Sequence, residues 1–282
     1  LDISLAEALI HAGDYTALAE TSPPNLIALY RVLLAVLHRA LTTHHGPWKD
    51  TDRARWFKQG LPREPLRAYL KQWRDRFWLF HPEAPFMQMA LLDTAQETRD
   101  KRKPWSQISL ESANGNVPVV FDHSLDTSPE AIPCAQALRM LLGYCQFTPG
   151  GLVKVFRDSD KAGPLANTAA VLPLGRNLGK TLLLALHRYN ARNEDLPAWE
   201  KPAPAQAHIE SAPILATGPN DRYTRQTRAV ALLREPASGL ITHIRFGAGL
   251  ALGDDPNAPD PMAAHRYNKD GKAIRVTYTE GR

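Results

Sequence analysis

Leu26, Ile27, Leu29, Tyr30, Leu33, Leu34, Val36, Leu37 and Leu41 fall on nearly every face of one helix, opened by Pro23-Pro24-Asn25. Such a stripe-free apolar pattern predicts a buried core helix rather than a surface one. Before it, Ile3 to His11 predicts a short amphipathic helix capped by Ser4. After it, Tyr69, Trp73, Phe77 and Phe80 recur at three or four residues, which predicts a single packing face on a helix that His81-Pro82 stops. Ser128-Pro129-Glu130 starts a further helix through Cys145, ended by Thr148-Pro149-Gly150-Gly151. The later chain alternates instead, and residues 229–233, 240–246 and 273–278 are strand candidates. The pattern predicts an α+β fold, helix-rich in its first half and strand-rich in its second. Residues 92–133 read as a long polar loop with one apolar island, VPVVF, and 196–219 as a Pro-rich connector pinned by Trp199.

Composition narrows this. A chain of 282 residues with 44% apolar content can bury one large core or two small ones. No continuous apolar run approaches the roughly 18 residues of a membrane span, and no basic-then-apolar leader resembles a signal peptide. The first residue is Leu rather than Met, which suggests a processed or trimmed fragment. Cys134 and Cys145 stand on one predicted helix, about 16 Å apart along its axis, too far to bridge. A reducing cytoplasm is the simplest setting. The net charge of +5 and pI near 9.2 favour an anionic partner. The positive charge concentrates in a run of Arg99, Lys101, Arg102 and Lys103, and in a broader segment from Arg53 to Arg76. Charge runs of this kind most often only solvate a face.

Several motifs invite chemistry. VLPLGRNLGKTLLLA resembles a phosphate loop, but Gly175 and Gly179 enclose three residues where four are required. The competing reading is a strand, a turn and a helix start, with Lys180 and Thr181 in the first helical turn. Asp122-His123-Ser124 contains triad residue types, yet no Gly-x-Ser-x-Gly elbow accompanies them. His38, His44 and His45 lack the Cys or carboxylate companions of a metal site, and GDDPNAPDP lacks the spacing of a calcium loop and reads as a solvent loop. No cofactor, metal ligand or catalytic residue is expected. Gly150-Gly151 followed by Lys154 and Arg157 pairs a permissive backbone with positive charge, which suits a phosphate or DNA-groove contact.

Taken in order, SLAEAL, PPNLIALYRVLLAVLHRAL, YLKQWRDRFWLFHPEAPFMQ, the FDHS loop, the Pro-Gly-Gly turn, KTLLLAL to PAWE, GPNDRYTRQTRAVALL and DPMAAHRYNKDGK resemble the CasA family. CasA is the large subunit of the type I-E CRISPR surveillance complex Cascade. The resemblance runs across residues 1–282 and implies the family's N-terminal domain. It implies a non-enzymatic subunit that recognises the protospacer-adjacent motif in double-stranded DNA, helps R-loop formation begin and helps recruit a helicase-nuclease. The implied partners are target DNA, CRISPR RNA and the other Cascade subunits, with no membrane. It carries three places over as DNA contacts: Phe121 in VVFDHS, Gly150 and Gly151 as the groove-entering glycines, and Arg245 as a basic contact. Lys154 and Arg157 join them on charge and proximity alone.

The chain also departs from that family. Relatives have an N-terminal strand before SLAEAL and a C-terminal four-helix bundle with a strand-separating wedge, neither represented here. Some carry zinc-binding cysteines, and many have Trp where Arg225 stands; with two cysteines, no zinc is expected. The alternative from a different class is a P-loop-like NTPase or phosphotransferase using Gly179-Lys180-Thr181.

Overall fold

A computed structural model describes residues 2–113, 119, 122, 125–189, 194–253 and 258–277. In chain order its elements are α1 (Leu5–Ile10), α2 (Pro23–His45), α3 (Asp50–Gln59), α4 (Arg63–Gln72), β1 (Lys103–Pro104), α5 (Cys134–Phe147), β2 (Gly151–Val155), β3 (Arg157–Asp160), α6 (Leu178–Ala185), α7 (Gln206–Glu210), α8 (Pro219–Tyr223), β4 (Arg228–Arg234), β5 (Ile241–Ala248), β6 (His265–Tyr267) and β7 (Ala273–Arg275). The fold is mixed α+β, as the hydrophobic pattern predicts.

The central helix α2 forms where the leucine pattern places it. Pro23 and Pro24 occupy its first turn, where a missing N–H costs nothing, and Gly46 at φ +68° ends it. Its 23 residues satisfy the length and hydropathy of a membrane-spanning helix, unlike the shorter continuous run visible in the sequence. Here α5, α4, α8 and α6 pack around it, and Leu34, Val36, Leu37 and Leu41 are fully buried. α1 is capped as expected, with the Ser4 hydroxyl accepting from the Glu7 N–H at 3.1 Å.

Two polar side chains on α2 reach into this core. Arg31 is 0% exposed, donates to Asp260 at 2.6 Å and to Gln146 at 2.8 Å, and lies over the Tyr223 ring. Asp260, expected in a solvent loop, is therefore buried at 4% exposure, because the arginine needs a counter-charge once removed from water. His38 stacks on His187, their rings 4.0 Å apart and 19° from parallel. The Asn220 amide donates to His38 Nδ1 at 2.9 Å.

Three other boundaries differ from the sequence pattern. The aromatic helix ends at Gln72, and a 3-10 turn covers Arg74–Phe77. Past Trp73 the backbone bonds tighten to i→i+3, the Arg76 N–H donating to the Trp73 carbonyl and the Trp78 N–H to the Asp75 carbonyl, and the Trp78 carbonyl then accepts from the Phe86 N–H. Tyr69 and Phe77 share the α2 core while Phe80 joins a second cluster, so they are not one face. α5 begins at Cys134, not near Ser128, because Ile132 exchanges both backbone hydrogen bonds with Ile241 on β5.

The main sheet is antiparallel in the order β1-β5-β4. Successive β4 residues face opposite ways. Val230 and Leu232 pack with Leu141 of α5, whereas Ala229 and Ala231 pack with Ala248, Val153 and Phe156. The sheet is thus covered on one side by α5 and on the other by β2–β3. The connector at 196–219 carries α7 and is pinned by Trp199, 3% exposed, whose indole N–H donates to the Tyr69 hydroxyl at 2.7 Å.

The histidine stack has a measurable consequence. Burial, with Arg39 nearby, lowers the His38 pKa to about 3, and burial lowers that of His187 well below its ordinary value. Both are neutral when folded and free to protonate when unfolded, so the unfolded state binds more protons below about pH 6.5. Thermal melts should show Tm falling as pH drops from about 6.5 towards about 3. His187→Phe should flatten that slope. A slope unchanged in the variant would show that the stack does not contribute.

Candidate nucleic-acid interface

The Thr148-Pro149-Gly150-Gly151 stretch ends α5 as read, but it then opens a hairpin that the sequence pattern did not reveal. β2 and β3 pair Gly151 with Asp160 and Leu152 with Ser159, then slip register through a bulge to Val155 and Arg157. Gly151 has φ +155°, a conformation that side chains rarely adopt, and open space surrounds the position of a Cβ. Lys154 at φ +59° and Phe156 at φ +64° adopt the left-handed region without being glycine. Each costs roughly 1–2 kcal/mol. The compensation is packing: Val153 and Phe156 turn inward onto the sheet, leaving Leu152 (76% exposed) and Lys154 in solvent.

The base of the hairpin is held by buried charge. Asp160, 7% exposed, accepts from Arg157 Nη2 at 2.6 Å, the Lys161 N–H at 2.9 Å and the Gly249 N–H at 2.8 Å. Arg228 of β4 lies 3.2 Å from the same carboxylate. Its guanidinium also donates to the carbonyls of Pro149 at 2.7 Å and Lys161 at 2.9 Å, so one side chain clamps both ends of the hairpin. Arg157 donates further to the Gly249 carbonyl at 2.7 Å and the Ser211 carbonyl at 3.3 Å. Arg157, read from charge as a DNA contact, is a brace inside the fold with its side chain only 16% exposed.

Arg245 lies on β5 opposite Ala231, on the sheet side that faces the hairpin. Gly247, two residues on, lies against Val155 and Phe156 of the hairpin. The hairpin tip at Val155 and Phe156 thus packs on β5 two residues from Arg245, while Gly150 and Gly151 stand at the hairpin's other end, beside Asp160. Arg245 is not unengaged: Nη1 pairs with Asp93 at 2.9 Å, and Nε and Nη2 donate to the Arg99 carbonyl at 3.2 and 2.8 Å. Phe121 lies outside the described residues, as do His123 and Ser124.

The phosphate-loop resemblance has a different geometry. Residues 171–175 form no strand, and α6 starts at Leu178 with Asn177 as its cap. A phosphate would need free N–H groups at this helix start. Here the Leu178 N–H donates to the Tyr15 carbonyl and the Gly179 N–H to the Ala12 carbonyl. The Lys180 N–H donates to Asn177 Oδ1 and the Thr181 N–H to the Asn177 carbonyl. A Cβ at Gly175 would sit 2.8 Å from the Thr181 nitrogen, so the loop closes onto its own helix. The Lys180 ammonium rests 4.4 Å from the centre of the Phe57 ring.

No group of three or more His, Cys, Asp or Glu able to hold a metal occurs among the described residues. The cysteines are free, and burial pushes the Cys145 thiol up to about 11, which keeps it protonated at neutral pH. Sequence reading missed Asp160, Arg228 and Asp93. The signal available for the first was a pair of acids, Asp158 and Asp160, set among Lys154, Arg157 and Lys161.

Known proteins share this fold and sequence pattern. The sequence model of CRISPR-associated protein Cse1 matches residues 1–282. A CasA/Cse1 protein of Thermus thermophilus is 37% identical over 288 residues, covering 100% of this chain and 55% of its own length. The solved structure of Thermus thermophilus CasA superimposes with a TM-score of 0.81 at 34% identity, again covering 100% of this chain and 55% of that one. A chain of a CRISPR RNA-guided surveillance complex matches with a TM-score of 0.79 at 25% identity, over 98% of this chain and 57% of its own. The protein belongs to the CasA/Cse1 family. It spans about half the length of the relatives it matches.

Two outcomes follow from the site geometry. Asp160→Ala leaves Arg157 and Arg228 buried without their shared acid and should cost about 3–5 kcal/mol of unfolding free energy, read by chemical denaturation. A loss under about 1 kcal/mol would mean the pair behaves as a surface one. Added ATP with magnesium should leave Tm unchanged, and a concentration-dependent rise would revive the phosphate-loop reading.

Proposed function

We propose that this chain is the motif-sensing part of a DNA-binding Cascade subunit. The observation that carries the reading is the exposed glycine pair on a hairpin whose base is locked by Asp160 and Arg228, with Arg245 on the adjoining strand. A groove-probing element needs a backbone that can approach closely and a base that does not yield, and Gly150-Gly151 combines both. Minor-groove readout distinguishes mainly A·T from G·C, so such a hairpin senses a short motif with modest discrimination. Arg245 adds attraction for phosphate or for a narrow groove. The longer sequence readout falls to base pairing with CRISPR RNA, a division of labour general to RNA-guided effectors. The subunit then acts by binding rather than by catalysis. It helps strand exchange begin and presents the complex to a helicase-nuclease, with the other Cascade subunits as its neighbours.

The test is a gel-shift series with the reconstituted complex, using the full-length subunit and duplexes varied at the short motif. Arg245→Ala should weaken duplex binding about tenfold, equivalent to about 1.4 kcal/mol. Gly151→Val should reduce discrimination between motif and non-motif duplexes. Binding that is the same with and without the subunit would sink the proposal. So would motif preference untouched by either substitution.

A further inference from the structure

The run Arg99, Lys101, Arg102 and Lys103 belongs to the one strand edge that adjoins Arg245. Lys103 and Pro104 form β1, paired with Ile244 and His243 of β5. Just before this pairing, the Arg99 carbonyl accepts from Arg245 Nε and Nη2, which ties the start of the run to β5. The backbone on the N-terminal side is fixed as well. The Lys101 N–H donates to the Thr98 carbonyl at 2.9 Å, and the buried Thr98 hydroxyl donates to the Leu92 carbonyl at 2.8 Å. On the C-terminal side the Trp105 indole donates to the Glu130 carbonyl at 2.7 Å. These charges are thus held in place rather than carried on a swinging tail.

Lys101, Arg102 and Lys103 are exposed. Among the described residues the ion pairs of this edge are Arg99 with Asp100 and Arg245 with Asp93. None involves Lys101, Arg102 or Lys103. Three exposed like charges in succession concentrate positive potential along this edge, although neighbouring side chains leave it on opposite faces. A polyanion is attracted to that potential.

We infer that the 101–103 edge is a phosphate-backbone contact for duplex DNA, continuing the surface formed by the glycine hairpin and Arg245. It rests on the reading of the chain as a duplex-binding subunit and extends to residues 101–103 the phosphate attraction proposed for Arg245. Phosphate contacts position a protein on the duplex but carry no sequence information. The edge supplies register and affinity, and the hairpin supplies motif preference.

The test uses the reconstituted complex with the full-length subunit carrying Lys101→Ala, Arg102→Ala and Lys103→Ala together. Its affinity is measured against salt for duplexes with and without the motif. Each phosphate neutralised contributes about 0.9 to the slope of log affinity against log salt, so the slope should become shallower by about 2.7. Both duplexes should weaken by the same factor. The single variant Arg102→Lys should keep the original slope, since charge rather than guanidinium geometry is required. An unchanged slope in the triple variant overturns the proposal. A change confined to the motif duplex overturns it too, because that is base readout. Failure of the folded triple variant to enter the complex also overturns it, assigning the edge to an assembly contact instead. If the complex lacking the subunit binds duplex as well as the complete one, the fault lies with the duplex-binding reading itself.

Discussion

Arg228 and Asp160 are both withdrawn from water, at 3% and 7% exposure, and the glycine hairpin stands on them. A buried guanidinium carries five donors and no acceptor, so the surrounding backbone must supply carbonyls wherever the carboxylate cannot. That requirement draws Pro149 and Lys161, the two ends of β2–β3, to the same side chain. The hairpin could not pair its strands as it does and lie elsewhere without leaving a charge unpaired in the interior, a penalty of several kcal/mol. The same logic extends along the chain segment that contains Arg228. Residues 220–228 are all buried and almost all polar. Asp221 pairs with Arg225 at 2.6 Å and with Lys201 at 2.7 Å, and Asp195 caps α8 by accepting from the Asn220 and Asp221 N–H groups. A segment so rich in charge is tolerated inside because it ties the connector, α2 and the sheet into one network.

The sheet transmits that constraint to the candidate interface. β4 is buried on both faces, with larger side chains towards α5 and alanines towards the hairpin. Small residues on one face let the hairpin approach closely, and Val153 and Phe156 fill the space. The inward packing of Phe156 compensates its positive φ, and the outward exposure of Leu152 and Lys154 follows from it. Local strain on the surface side is thus balanced by burial on the core side. Open space surrounds the Cβ position of Gly151, whereas Gly150 lies against the backbone of Asp160 and Ala162.

How much of this was legible in the chain varies with the range of the interaction. α2 was legible because its determinants are local: two prolines, a leucine run and a terminal glycine. β4, β5 and β7 were legible for the same reason, whereas the three-residue β6 was not. The hairpin was not, because a bulge and two left-handed residues break the period of two that marks a strand. Asp260 was misread as solvent because its partner, Arg31, lies 229 residues away. The aromatic segment was read as one helix because its spacing is helical, while the bond from the Phe86 N–H to the Trp78 carbonyl is not a helical one. At the interface, the glycines and Arg245 were singled out by resemblance, and the packing of the hairpin tip near Arg245 became visible only through β5. Lys154 and Arg157 looked equivalent as charges. Burial separates them, one into solvent and one into a brace.

Arg245 poses the remaining physical question, since a residue already paired must release its partner before it can meet DNA. Its bonds to the Arg99 carbonyl orient the guanidinium and need not break for Nη1 to change partner. Asp93 is 54% exposed and the Arg245 side chain 16%, so the pair sits at the rim of the fold, and solvent on the Asp93 side weakens its hold. A phosphate brought to the same place carries a comparable charge and arrives with its neighbours, and those neighbours meet Lys101, Arg102 and Lys103. Exchange of Asp93 for the duplex backbone is then favourable in sum though nearly neutral at Arg245 itself. In the absence of DNA, Asp93 keeps the guanidinium in one orientation and reduces the entropy lost on binding. On the proposed reading the pair is in that sense preorganisation, suited to a contact that forms quickly and discriminates little.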